Sequence, residues 1–441
     1  MTVRPLDART ARRRYVTTCA LLWFPIGLAV APLILLLTSR GLPLTTVTLL
    51  LAAYSLTTAL LELPTGGLSD VLGRRGVLAS AGLLSTGALA LLALGTSAWP
   101  LAAGMVLMGA ARALFSGSVE AWYVDTVRAA DGPDAELRTG LARGTTATSA
   151  ALALGTLLGG AIPWALGLGP DPGAALIRAT GGQLLPLSVP PLTGCPVALA
   201  FVLYVLTALP EPARPSATLR DAVRDVPATV RTGLRVGGRD ALVRRVLLGT
   251  AAAGGAVATL ELLTPGRAAE LTGGSAASGA VLYAALACAG FLCSALGSQL
   301  APLTARLAGG GERAVLLGLT VGATGLALLG VTAATTGATA LAVGGLGYVL
   351  VYLGLGAAGP NESDLLHHRI PDRTRATVLS VQSLALQLAG AAMGLFVGRL
   401  PAGPLPWLTA AAVLLAGALL WTRRATAGRR SAVVPTSTHA P

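Results

Sequence analysis

Twelve apolar runs, each near the length of one bilayer crossing and set apart by charged or turn-forming residues, constrain this chain most. They cover 15–37, 43–63, 76–97, 101–124, 143–168, 186–209, 246–264, 277–300, 314–334, 338–358, 376–399 and 404–422. A helix needs about 20 residues to cross the ~30 Å hydrocarbon core of a bilayer. Water is absent there, so the backbone must satisfy its own polar groups, which only helices and closed barrels do. A barrel would show short alternating segments, and these runs are unbroken. The sequence therefore predicts an all-α membrane protein with twelve transmembrane helices. Composition agrees: 54% of the 441 residues are hydrophobic and 12% charged, with mean hydropathy +0.71. Soluble domains carry about 25% charged residues.

The net charge of +13 resembles a nucleic-acid footprint until the charges are placed. Twelve crossings put both termini on one side, and the arginines sort between the sides. Of 32 basic residues, all arginine, 27 fall on the side of the termini. Arg40, Arg178, Arg267 and Arg399 fall on the other, and Arg112 lies inside a run. The positive-inside rule makes the arginine-rich side cytoplasmic. The charge then reads as topology, and no nucleic-acid partner is expected. The expected home is the inner (cytoplasmic) membrane, with the lipid bilayer as solvent and the protein acting as a monomer.

The longest internal polar stretch is 211–245. It divides the chain into an N-terminal six-helix bundle, 1–210, and a C-terminal one, 246–423, with a tail at 424–441. Leu219, Val223, Val226, Val230 and Leu234 recur at helical spacing, which fits either short surface helices or a solvated connector. A weak internal repeat has an offset of 235 residues: Gly155 and Gly159 of the fifth run fall on Gly390 and Gly394 of the eleventh. Small residues four apart allow close helix packing. The four cysteines form no CxxC or Cys/His cluster, so no metal and no disulfide framework are expected, and no cofactor is implied.

The stretch ELPTGGLSDVLGRR, 62–75, is out of place in so apolar a chain. Topology puts its end in the turn after the second run, on the cytoplasmic side. Pro64 and Gly66–Gly67 are expected to loosen the helix end. Within it, GGLSDVLGRR resembles the loop signature of the major facilitator superfamily, with Gly66, Asp70, Gly73, Arg74 and Arg75 all matching. PDRTRATVLSVQSLALQLAG, 371–390, and GAARALFSGSVEAWYVD, 109–125, also resemble blocks of bacterial members. The resemblance implies a two-bundle transporter working by alternating access. It implies that Asp70 meets the start of the eleventh helix, and that Arg74 and Arg75 pair with acids near the bundle interface, Asp125 among them. The alternative makes the arginines simple positive-inside anchors.

Charges inside the bilayer cost about 2.5–3.5 kcal/mol on insertion scales, so each is a functional candidate. Arg112 lies about 16 Å into the fourth run. On a continuous helix Ser116, Glu120 and Tyr123 fall within an ~80° arc of it, a polar stripe facing the central cavity. Arg112 and Glu120 are assigned to the transport pathway, and a permanent structural pair between Arg112 and another acid is the alternative. Glu62 is either a gate partner of an arginine or a protonatable site. Glu261, toward the outer face of the seventh run, is either a proton carrier or a group in outer-face water. Asn361 and Glu362 are expected just after the tenth helix. Two features depart from drug/proton antiporters: Pro163 is displaced in the fifth run, and Gly117 follows Arg112 by five residues rather than four. The favoured function is proton-coupled export of a small, largely apolar organic substrate. Proton-coupled uptake of a polar solute is the alternative, and a membrane enzyme is disfavoured because no catalytic set is visible.

Overall fold

The computed structural model describes residues 6–132, 135–210, 231, 235, 238, 240–369 and 372–422, without the side chains of 63–72, 367 and 372–377. Among the described residues there are helices and no strands. In chain order they are α1 (Ala8–Val30), α2 (Leu33–Ser39), α3 (Leu44–Leu72), α4 (Arg74–Leu94), α5 (Ala98–Phe115), α6 (Ser118–Asp131), α7 (Arg138–Leu166) and α8 (Pro172–Ala179). After a 3-10 turn at Pro186–Ser188 come α9 (Val189–Ala208), α10 (Ala241–Leu271), α11 (Ala276–Ala308), α12 (Gly311–Thr332), α13 (Ala338–Arg369), α14 (Asp372–Val397) and α15 (Pro404–Leu419).

Eleven stretches are long and apolar enough to cross a membrane. The twelfth apolar run forms α15, whose 16 residues make a shorter apolar helix, about 24 Å long at 1.5 Å per residue. Helix ends differ from the sequence reading in informative ways. α3 does not stop at Pro64 but runs to Leu72 and turns at the single residue Gly73 (φ 80°). That left-handed conformation is open to glycine and strained for other residues. α13 runs through Pro360 to Arg369, so Asn361 and Glu362 lie inside it, not after it. α10 starts at Ala241, inside the stretch read as connector; 211–230 lies outside the described residues.

Helices α1–α9 pack among themselves, as do α10–α15, and two long contacts join the groups: α7 with α11, and α3 with α14. Lipid is as apolar as leucine, so close van der Waals packing has to hold these helices together. α7 meets α1 through glycine: a Cβ on Gly155 would sit 2.5 Å from the Phe24 carbonyl oxygen, and one on Gly159 would collide with that of Leu28. The second half uses a different glycine. A Cβ on Gly390 would lie 3.3 Å from the Gly254 carbonyl oxygen, and Gly394 has open space, so Gly394 does no close packing. There the tight contact is made from α10, where a Cβ on Gly254 would collide with the Leu386 carbonyl of α14.

At the arginine-poor end the two groups close on each other through an apolar cluster. Leu35 and Leu36 of α2 and Leu187 of the 3-10 turn pack with Ala280 of α11. Three of the four arginines at this end bind backbone carbonyls, Arg399 that of Leu395 at 2.8 Å on its own helix. Arg40 donates to those of Ala93 (3.1 Å) and Gln183 (2.6 Å), and Arg267 to that of Thr332 (2.7 Å). At the opposite end the last carbonyls of α9 and the residues after it, which lack helical partners, are held by three donors. Arg14 donates to Ala208, Arg75 to Leu206, and the Trp122 indole to Pro210 at 3.0 Å. Each donor comes from a different helix, α1, α4 and α6.

Candidate functional site

The single-residue turn at Gly73 makes Arg74 the first residue of α4 and aims it at α6. Its Nη2 lies 2.7 Å and its Nε 2.9 Å from Asp125 Oδ2. Arg75 turns away to the end of α9. The pair therefore splits: one arginine makes an ion pair and the other holds a helix end. The side chains of the other motif positions, Gly66 and Asp70, lie outside the described residues.

The fourth apolar run is not one helix. α5 ends at Phe115, Ser116 leaves helical geometry, and Gly117 takes a left-handed conformation (φ 70°) before α6 begins. Arg112 stands in the last turn of α5 and Glu120 in the first turn of α6. A helix carries partial negative charge at its C-terminus and partial positive charge at its N-terminus. The break thus sets each charge beside a compensating dipole within a membrane helix, where an isolated charge is expensive. The turn also resets the helix phase, which corrects the continuous polar stripe. Ser116 and Glu120 still share a cavity with Arg112, but Tyr123 does not line it. Tyr123 is buried instead and stacks on Tyr15 with centroids 4.6 Å apart.

That cavity, about 280 Å³, lies in the arginine-rich half of α1, α5, α6 and α7. Tyr15, Cys19, Leu22, Trp23, Phe115 and Thr148 are among the other residues of its wall. Among the described residues Arg112 has no carboxylate at ion-pair distance. Its guanidinium lies 5.1 Å from the Trp23 ring centroid and 5.9 Å from that of Phe115. Cation–π contact of this kind contributes about 0.5–2 kcal/mol and leaves the N–H donors for other partners.

Glu62 connects the two groups of helices. Its Oε2 accepts from Ser383 Oγ of α14 at 2.8 Å, and its Oε1 from Ser116 Oγ at 3.4 Å. The charges of Glu62, Arg112 and Glu261 all act on the Tyr54 hydroxyl of α3, which places the four in one electrostatic neighbourhood. Glu261 of α10 is exposed, and its charge is felt at Tyr283 of α11 and Tyr352 of α13, as that of Arg112 is at Glu261.

A model of the Major Facilitator Superfamily matches residues 16–395. The chain belongs to this superfamily. As a member it is a transporter. The solved structures agree on the fold. The nucleoside transporter NupG aligns with a TM-score of 0.69 at 10% identity, over 93% of this chain and 98% of its own. The inward-open xylose transporter XylE from E. coli aligns at 0.66 and 16%, over 93% and 95%. The human organic anion transporter MFSD10 aligns at 0.58 and 19%, over 94% and 100%. No curated protein sequence matches the chain.

Within the transporter, the sequence reading passed over Ser383, Trp23, Tyr54, Tyr283 and Tyr352. Ser383 stands beside Gln382, which draws the eye but donates to Thr250 Oγ1 (2.9 Å) within the second half. A serine in an apolar run is too common to flag alone. Glu362 is buried at 6% exposure, and its Oε1 would meet a Cβ on Gly249 at 2.8 Å. Glycine at 249 is what gives this carboxylate room. Asn361 is also buried and donates to the carbonyls of Ala357 (2.9 Å) and Ala301 (3.2 Å), so it ties α13 to α11.

Proposed function

We propose that this transporter exports a small, largely apolar organic compound in exchange for protons by alternating access. It crosses the inner membrane twelve times, with both termini in the cytoplasm. The observation that carries the reading is Glu62. A half-buried carboxylate of the first half accepts hydrogen bonds from Ser383 of the second and from Ser116, which lines the cavity that holds Arg112 and Glu120. A carboxylate accepts strongly when ionised and loses much of that capacity on protonation. Gain of a proton by Glu62 therefore weakens the bridge between the halves, which is how a proton would bias one state over the other. Gate residues Arg74 and Asp125 stiffen the first half at the cytoplasmic end, with Asp70 and Gly66 as further members of that motif. Glu120 and Glu261 are further proton sites, and Ser116 relays between Glu62 and the cavity.

Substrate character follows from the wall. Trp23, Phe115, Leu22 and Val119 present apolar surface beside the polar groups of Arg112, Ser116, Glu120, Thr145 and Thr148, which supports an organic molecule with an apolar body and a few polar groups. The apolar seal at the arginine-poor end and the cavity at the other fit a state that loads from the cytoplasm. The reading is tested in a host lacking its own exporters, by accumulation of a compound panel with and without a proton uncoupler. Expression should lower accumulation of at least one apolar compound, and the uncoupler should restore it. Faster uptake of a polar solute on expression would favour import instead. Export untouched by the uncoupler would remove the proton from the mechanism.

A further inference from the structure

A second cavity, about 690 Å³, opens at the arginine-rich ends of α1 and α7, and Arg9, Arg12, Arg13, Val16, Thr17 and Arg143 line it. Four guanidinium groups meet there with no carboxylate in the wall. Among the described residues none of the four has a hydrogen-bond or ion-pair partner. The nearest acids in sequence are already engaged as helix caps. Asp7 accepts from the Thr10 amide (2.8 Å) and Glu136 from the Thr139 amide (2.8 Å). Arg14, next in the same arginine run, points elsewhere, to the end of α9. All four cavity arginines also sit in the first two turns of their helices, at the positive end of each dipole. Like charges thus gather where the backbone repels them further, an arrangement that an anion relieves.

The cavity is separate from the transport pathway. The α1 residues facing the central cavity, Tyr15, Cys19, Leu22 and Trp23, share none with those facing the arginines. At 100° per residue the two sets point about 100° apart. On α7, Arg143 heads a different face from Gly144, Thr145 and Thr148. Ala150, Leu154 and Leu157 follow Arg143 by 7, 11 and 14 residues, within about 40° of its direction. All three are exposed. On a helix that spans a membrane, such an apolar stripe faces acyl chains. Cationic cavity and apolar stripe together match an amphiphile whose head is anionic and whose tails run along α7.

We propose that this cavity binds the phosphate-bearing headgroup of an anionic phospholipid from the leaflet at the arginine-rich end. The general chemistry is phosphate recognition by guanidinium groups. The stripe selects a lipid as its source over a soluble phosphate. The test uses the full-length transporter purified in detergent, with phosphatidylglycerol and phosphatidylcholine as competing probes and retained lipid read by native mass spectrometry. Phosphatidylglycerol should be retained over phosphatidylcholine by about tenfold, and the combined change Arg9→Gln, Arg13→Gln, Arg143→Gln should abolish that preference. The matching lysine variant should keep part of it. Equal retention of both lipids by the unaltered protein, or an undiminished preference in the glutamine variant, overturns the proposal. Displacement of the lipid by millimolar inorganic phosphate would make the site one for free anions and overturn the lipid assignment. Should the glutamine variant fail to fold, a photo-crosslinking phosphatidylglycerol on the unaltered protein decides. Adducts on 8–17 or 138–146 support the site, and adducts confined to other segments refute it.

Discussion

The two halves of this transporter solve the same problem with different chemistry. The first brings charge to the middle of its helices: Glu62, Arg112 and Glu120. To do so it breaks a helix at Gly117, so that Arg112 and Glu120 each stand at a favourable helix end. The second half brings Glu261 and the phenols Tyr283, Tyr348 and Tyr352, on helices that run unbroken. Phenols are polar without being charged, so they need no dipole to offset them. Two charges close together on one apolar run coincide here with a break in the backbone, whereas the phenols and the single carboxylate Glu261 stand on helices that continue past them.

The largest expected effect separates these two chemistries. Glu62→Gln removes a carboxyl acceptor, and hydrogen bonds to charged groups are worth about 1.5–3 kcal/mol against 0.5–1.5 for neutral ones. Substrate transport should fall by about tenfold or more, while Tyr352→Phe lowers it by a few-fold at most. Transport assays on vesicles holding each variant make the comparison. A Tyr352→Phe defect as deep as that of Glu62→Gln would erase the proposed division of labour.

Packing distinguishes the halves next. Gly159→Ala forces a methyl against the Leu28 backbone and should destabilise the protein by about 1–3 kcal/mol. Gly394→Ala, at the repeat-related position with open space, should stay within about 0.5 kcal/mol. Thermal unfolding of the purified variants reads both, and similar shifts would mean the repeat is structural after all. A smaller effect belongs to the Arg74–Asp125 pair, which is partly exposed at 22% and 41%. Asp125→Asn should lower stability by only about 0.2–1 kcal/mol, and salt should shrink the difference. A salt-independent loss would point to a role beyond the ion pair.

The smallest effect concerns Asp240, the N-cap of α10, which accepts from the Leu242 and Val243 amides and meets Arg369 Nε at 2.7 Å. Partial burial pushes its carboxyl up. The Arg369 guanidinium and the two amides more than offset this, leaving it below the ordinary 3.8. A carboxyl depressed in the folded state stabilises above its unfolded value, and that contribution is lost as pH falls through the lower folded value. Asp240→Asn should therefore lower the thermal midpoint near pH 7, and the gap should shrink as pH falls below the ordinary carboxylate value of 3.8. A gap that widens in acid would show the sign to be wrong.

The sequence made the helices legible because a span must be long and apolar, and arginine placement marked its ends. It also exposed the motif at 66–75 and the charges at 62, 112, 120 and 261, since charge inside an apolar run is conspicuous. Other features were not legible, each for a physical reason. The break at Gly117 hides because glycine is abundant here and only its φ reveals it. Ser383 hides because serine in a membrane helix is ordinary until a carboxylate stands opposite. Tyr123 was misplaced because a 100° periodicity holds only along an unbroken helix. Gly394 was misread because an offset in sequence carries no information on which partner helix supplies the glycine.

The three donors that hold the end of α9 have a mechanical consequence. Arg14, Arg75 and Trp122 root the last point of the first half in three separate helices. Whatever pull the following chain exerts during the transport cycle is spread over α1, α4 and α6 at once. The chain therefore leaves from a bollard, not a hinge, and a tug there moves the bundle as one piece before it unwinds α9.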